Sequence, residues 1–260
     1  GIYIQSTNWK TRADIMLISP TFRQEMGFEP RNNRRRFEIG QQYRGFPNKK
    51  YVKNYSIYAE TSLYTNYENV VKERSTFTYS RMQLSGNINL SFNAKFIEKE
   101  NYLNIDYENL FNGRLNISWS PNQAFSLGAG IGGGRQIAYN ETNPRIGISR
   151  RRGVDLDLQA KGKFQWSLDL DYEEMNELYD PAISIYKGFL FQSLFKYTLT
   201  RALDFRLVSQ LNNFDSGEIN VLMQPLIQYR PSAFSLFYLG GMFQSGQFQG
   251  YLKWQKQIGN

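Results

Sequence analysis

The stretch Phe164-Gln165-Trp166-Ser167-Leu168-Asp169-Leu170-Asp171-Tyr172 places an apolar side chain at every second position, with polar residues between. Period two is the mark of a strand, because successive side chains leave opposite faces of the pleat. The same alternation runs through Ile88, Leu90, Phe92, Ala94 and Phe96, set against Asn89, Ser91, Asn93 and Lys95. It returns at Leu115, Ile117 and Trp119, at Phe125, Leu127, Ala129 and Ile131, and at Val154, Leu156, Leu158 and Ala160. Later come Phe189, Phe191, Phe195, Tyr197 and Leu199, then Leu203, Phe205, Leu207 and Leu211, then Ile219, Val221, Met223, Ile227 and Tyr229.

These runs last about nine to twelve residues, longer than the ~5–6 of a usual soluble strand. They match the length that crosses a bilayer at a ~45° tilt. Many begin or end on Tyr or Trp, as an interfacial girdle requires, and Trp9, Trp119, Trp166 and Trp254 all sit in such segments. A soluble β-sandwich or propeller with aromatic core positions explains the alternation but not the run length. The expected fold is all-β, an antiparallel transmembrane β-barrel with about 14–16 strands in this chain. Residues 1–260 then form a single outer-membrane barrel domain or the carboxy-terminal section of a larger one.

Composition agrees. The 260 residues include 18 Tyr, 19 Phe and 4 Trp, and no stretch approaches the ~18 apolar residues of a spanning helix. Cys is absent, which excludes a disulfide framework and thiolate metal sites. His is absent too, which removes Ser-His and Cys-His nucleophile pairs and His-ligated zinc or haem. Lys and Arg number 31 against 23 Asp and Glu, a net charge of +8. That charge is scattered, unlike the concentrated footprint of a nucleic-acid module, so no nucleic-acid partner is expected.

Turn spacing gives an independent check. Keeping the apolar faces aligned makes Ser85-Gly86-Asn87, Lys161-Gly162-Lys163 and Thr200-Arg201-Ala202 three-residue loops. Ser120 to Ala124 and Arg230 to Ala233 are slightly longer, and the connections 97–112, 135–150, 173–187, 212–218 and 244–249 are longer still. Short and long loops therefore alternate, as periplasmic turns and outer loops do in an outer-membrane barrel. Counting back from a last strand at Tyr251 to Ile258 that runs toward the periplasm gives about fifteen strands. Loop 20–34 then lies outside, Gly1 starts near the outer surface, and the odd count implies a strand upstream.

The segment Ser19-Pro20-Thr21-Phe22-Arg23-Gln24-Glu25-Met26-Gly27-Phe28-Glu29-Pro30-Arg31 resembles the SPxF…GFxPR signature of a family of large barrels, mostly from the Bacteroidota. In that family the barrel region is a domain of unknown function that follows a family-9-type carbohydrate-binding module. Pro225-Leu226-Ile227-Gln228-Tyr229-Arg230-Pro231 and Phe234 to Gly240 are similar to its penultimate hairpin. The resemblance implies a secretion signal, a periplasmic sugar-binding-like module and further strands before Gly1. One departure is the ending Gln257-Ile258-Gly259-Asn260, where such barrels commonly finish on an aromatic residue.

Chemistry is expected on the polar face, the lumen in this reading. Asp155, Asp157, Asp169, Asp171 and Glu173 fall there on two adjacent strands, with Asp155 opposite Asp169. The next hairpin sets Lys196 opposite Arg206, with Asp204 close by. These charges either select solutes or form an internal salt-bridge lattice. Paired carboxylates also run glycoside hydrolysis, but nothing else marks a cleft, and no enzyme is expected. Asn101, Asn104, Asp106 and Glu108 make an oxygen-rich long loop that matches no defined calcium spacing. Gly128, Gly130, Gly132, Gly133 and Gly134 have the look of a phosphate loop, yet they alternate within a strand, where glycine makes room or allows curvature. Arg34, Arg35, Arg36, Arg150, Arg151 and Arg152 fall at the ends of outer loops, at the level of lipopolysaccharide phosphates.

The expected function is a channel or porin-like transport role in the bacterial outer membrane, with the carboxy terminus periplasmic and no cofactor. The alternative is a scaffold subunit of a secretion, uptake or barrel-insertion assembly. The expected partners are outer-membrane lipid and lipopolysaccharide, together with other outer-membrane proteins.

Overall fold

The computed structural model describes residues 1–22, 33–139, 142–160, 162–214, 217–232, 235–244 and 246–256. Every regular element among them is a strand. The first five are β1 (Ile2–Gln5), β2 (Trp9–Ile18), β3 (Arg34–Gly45), β4 (Val52–Thr65) and β5 (Val71–Leu84). Next come β6 (Ile88–Tyr102), β7 (Ile105–Asn122), β8 (Phe125–Ile137), β9 (Ile146–Ala160) and β10 (Phe164–Glu177). The last are β11 (Ser184–Thr200), β12 (Leu203–Phe214), β13 (Asn220–Ser232), β14 (Ser235–Gln244) and β15 (Gln247–Lys256).

All fifteen lie in one antiparallel sheet in chain order. The order starts at β1 and ends at β15, and among the described residues no ladder joins those two. The strand count is the expected one, while closure into a barrel is not part of the described pairing. The chain falls into two compact units. Unit 1 holds Gly1–Ile117, Gly132–Arg150 and Asn176–Ile185, and unit 2 holds Ser118–Ile131, Arg151–Met175 and Tyr186–Asn260.

The registers keep two faces distinct. In unit 1, Ile15 pairs with Phe37 and Phe37 with Leu63, while Asp14 pairs with Glu38 on the other side. In unit 2, Ile227 pairs with Leu239 and Leu239 with Leu252 on one face, and Gln228 pairs with Tyr238 and Tyr238 with Lys253 on the other. The apolar face is open: Ile15 is 66% exposed, Leu239 55% and Leu252 76%. A buried apolar cluster, Tyr107, Leu110 and Ile137, lies in unit 1 against Ile97, Tyr102 and Ile146.

Tight turns fall where parity demands them. Ser85-Gly86-Asn87 joins β5 to β6, with Gly86 and Asn87 at φ 76° and 59°. Gly162, at φ 66°, turns β9 into β10, where the Lys163 N–H donates to the Ala160 carbonyl at 3.0 Å; Lys161 is outside the described residues. Thr200-Arg201-Ala202 is not a three-residue loop. Thr200 already pairs with Leu203, and a bulge between Thr198 and Thr200 absorbs the extra residue.

The five long connections are mostly strand. Residues 97–112 reduce to the turn Leu103-Asn104, both residues at positive φ (51° and 63°), as a two-residue hairpin turn needs. The others shrink to 138–145, 178–183, 215–219 and 245–246. Alternation reports where one face is apolar, whereas a ladder needs only paired backbone groups. Past the apolar stretch the ladder continues with charged side chains on both faces, tied by pairs such as Lys99 with Asp106 at 2.6 Å and Arg74 with Glu98 at 2.7 Å. Arg150, Arg151 and Arg152 accordingly lie inside β9 rather than at the end of a loop.

Glycine explains the close approaches around β8. Gly134 has φ 152°, and a Cβ there would collide with the Phe111 carbonyl oxygen; one at Gly132 would meet the Gly113 oxygen at 2.7 Å. The backbone itself needs that space, which suits strand curvature and not a phosphate cradle.

Candidate functional site

Charged side chains crowd the polar face of each unit. In unit 1 opposite signs interleave. Arg12 pairs with Asp14 and reaches Glu38 at 3.9 Å, and Arg36 also pairs with Glu38. Tyr58 donates to Glu60, and Gly40 leaves room for that phenol, since a Cβ there would meet the Tyr58 hydroxyl at 2.7 Å. Further along, Lys95 binds Glu73 at 2.6 Å and Ser75 donates to the same carboxylate at 2.8 Å. Near the 138–145 connection the Tyr139 hydroxyl donates to Glu100 at 2.9 Å, and the Tyr107 hydroxyl to the Pro144 carbonyl at 2.7 Å. Such a lattice neutralises charge locally and stiffens the sheet.

Sequence reasoning did not single out Arg12, Asp14, Glu38 or Glu60. The available signal was register: once Trp9 is set against Tyr43, the residues Asp14 and Glu38 must face each other.

In unit 2 three carboxylates share one cavity. Asp155, Asp157 and Asp169 line a cavity of about 390 Å³ with Ser167 and Gln192. The Ser167 hydroxyl donates to Asp157 at 2.6 Å. A Cβ on Gly128 would strike the Asp155 carboxylate, so this glycine gives the acid its place. Lys196 and Arg206 are direct register partners on β11 and β12, while Asp204 accepts from the Thr198 hydroxyl at 2.6 Å. Gln192 pairs with Gln210 in the same ladder, which puts Gln192, Lys196, Asp204, Arg206 and Gln210 on one face.

The other singled-out residues separate by strand parity. Glu173 accepts from Arg151 at 2.6 Å and from the Tyr186 hydroxyl at 2.8 Å, which takes it into an ion pair; Asp171, half-buried, precedes it on β10. Arg150 and Arg152 are exposed and share the parity of Val154, opposite to Arg151. Arg34 stacks on the Tyr64 ring at 5.1 Å, Arg35 on the Tyr67 ring at 4.9 Å, and Arg36 joins the ion lattice. Each run of three arginines is therefore divided between two faces.

The oxygen-rich stretch 101–108 is a hairpin, not a loop. Asp106 there takes hydrogen bonds from Asn101 at 2.7 Å and from Lys99 at 2.6 Å. Those two contacts hold its carboxyl below the usual carboxylate range, so an ammonium already fills the position a cation would take. Most of the SPxF…GFxPR segment, residues 23–31, lies outside the described residues, as do Ala233, Phe234 and 257–260.

No family model matches this chain, and no curated protein matches it. What the polar face can do follows from its charges alone. Its carboxylates, ammonium and guanidinium groups can attract ions of either sign.

Proposed function

We propose that the fifteen strands form the wall of a transmembrane β-barrel in a bacterial outer membrane, and that solutes cross along its polar face. The observation that carries this is the open apolar face and the way it is bordered. Apart from Tyr58 with Phe77 and Tyr102 with Tyr139, the aromatic contacts among the described residues gather where that face meets one set of alternate turns. In unit 1 these are Trp9 with Tyr43 and Tyr43 with Tyr55. In unit 2 they are Trp119 with Phe125, Phe164 with Phe195, Phe195 with Phe205, and the stack Tyr229, Phe237, Trp254. Rings at this level fit an interfacial girdle, and the tight turns beyond them fit the periplasmic side.

The other border is charged. On β5 and β6 the face runs from Leu84 and Ile88 to Thr76 and Phe96, and the next step along it is the exposed pair Arg74 and Glu98. Ile88 to Phe96 matches the ~9–11 residues of a tilted spanning strand. Arg35 and Arg152 share their faces with Phe37 and Val154 and come just past the apolar stretch, at the depth where lipopolysaccharide phosphates would meet guanidinium groups. In lipid an open sheet edge is not tolerated, so in this reading the outer edges of β1 and β15 are each covered by a neighbouring strand. The resemblance of residues 19–31 to a Bacteroidota barrel family points the same way.

The test is electrophoresis of membrane-extracted protein with and without boiling, followed by reconstitution in a planar bilayer. A closed barrel migrates differently before boiling and then gives discrete conductance steps. A single mobility and a silent bilayer would rule out the reading. A mobility shift without conductance would favour the scaffold role.

A further inference from the structure

The apolar face of unit 1 carries a patch that lipid alone does not suit, a point that rests on the membrane reading above. Register sets Thr11 beside Gln41, Gln41 beside Ala59, Ala59 beside Thr78 and Thr78 beside Ala94, one row across β2 to β6. The next row joins Ala13, Ile39, Thr61, Thr76 and Phe96 in the same way. Both rows share the face of Ile15, Phe37 and Leu63, because each is an even number of residues away along its strand. On β5 that face shows Ser80, Thr78 and Thr76 in succession, between Met82 and Arg74. Thr61 and Thr76 bond each other at 3.3 Å, and Thr78 donates to the Tyr58 carbonyl at 3.1 Å. Gln41 is exposed, and its side chain makes no hydrogen bond among the described residues. In unit 2 the row Tyr197, Phe205, Ile227, Leu239 and Leu252 holds no such group. Where Ser193 faces Ser209 there, the Trp166 indole donates to Ser193 at 3.0 Å.

A primary amide that faces hydrocarbon without a partner is costly, and a second protein surface removes that cost. We infer that this patch is the contact between two copies of the chain, with Gln41 close to a two-fold axis along the membrane normal. The two rows contain no charged residue, so they offer nothing for a partner of opposite charge to complement. An amide donates and accepts, and so does a hydroxyl, which makes the patch complementary to itself. Across a two-fold axis each Gln41 amide gives an N–H to its counterpart's carbonyl and receives one in return. The side chains around it are small, Ala13, Ala59, Thr61, Thr76 and Thr78, and small residues let two membrane-embedded surfaces approach closely. Ile39 and Ile57, 57% and 49% exposed, supply apolar contact beside the amide.

The chain has no cysteine, so a single introduced one reports contact between copies. Ala59→Cys lies beside Gln41 and leaves the amide in place, and Leu239→Cys on the apolar face of unit 2 is the control. Each variant of the full chain is reconstituted in liposomes at high lipid dilution and treated with a short bis-maleimide. A59C should give a product of twice the chain mass in clear excess over L239C. Adding Gln41→Leu should lower the A59C yield about threefold, the effect of one hydrogen bond between membrane-embedded surfaces. Leucine suits lipid better than glutamine, so A59C/Q41L should insert at least as well as A59C and keep its boiling-dependent mobility. Equal yields from A59C and L239C, or a yield that Q41L leaves unchanged, would overturn the inference and leave the barrel standing. A parent chain without boiling-dependent mobility would remove the membrane reading and this inference with it.

Discussion

At Gly134 the backbone φ of 152° and the carbonyl of Phe111 together exclude any side chain. Gly134→Ala should therefore cost about 3 kcal/mol, the sum of an unfavourable backbone region and displaced neighbours. Gly162→Ala makes the comparison, because its φ of 66° is equally left-handed but nothing lies within 4 Å of the added carbon. It should cost only about 1 kcal/mol. Urea midpoints of the two variants measure the difference, and equal midpoints would contradict the close approach of β8 to β7. Asp106 supplies a pH-dependent term. Its folded pKa is depressed by Lys99 first and Asn101 second, so its contribution is fully present above the ordinary value of 3.8. The contribution is lost as pH falls from there through the lower folded value. The gap in urea midpoint between the parent and Asp106→Asn should thus be flat near neutrality and close in strong acid.

For single elements the hairpin β6–β7 is the most informative. Leu103 occupies a left-handed turn position at φ 51° and is itself exposed, so Leu103→Gly should stabilise the hairpin by about 1 kcal/mol, read as a raised urea midpoint. This turn was not legible in the sequence, because Leu103 lacks turn chemistry and Lys99, Glu100 and Asp106 end the alternation. The alternating stretch Ile88 to Phe96 was legible for the converse reason: one of its faces is apolar, and only that leaves a period in the residue types. The pairing of Lys196 with Arg206 could be read from the length of their hairpin, even though the bulge beside Thr200 was hidden. Asp14 and Glu38 escaped because no tight turn fixes their register; the connection 19–33 between β2 and β3 is long. On β14, Leu239→Arg separates the environments. At an aqueous surface it should change stability by less than about 0.5 kcal/mol. Facing lipid near mid-depth it should cost about 2–4 kcal/mol, measured by urea titration in bilayers.

For the whole molecule, the question is whether the aromatic borders of both units lie at one depth. Trp9 in unit 1 and Trp119 and Trp254 in unit 2 each stand on the apolar face next to a ring partner, close to a turn of the same alternate set. A sheet in water has no reason to level them, since each would only need to cover its own neighbour. A bilayer imposes a common plane, because indole is most stable where its apolar body is dry and its N–H is wet. Variants that keep one of these tryptophans, with the others replaced by Phe, can be inserted into vesicles whose lipids carry bromine at graded positions along the acyl chain. Fluorescence of all three should be quenched most by bromine close to the headgroups. Leu239→Trp, placed between the two borders, should be quenched most by bromine deep in the chains. Three native tryptophans at scattered depths, or a Leu239→Trp signal insensitive to bromine, would mean that the open apolar face is covered by protein and not by lipid.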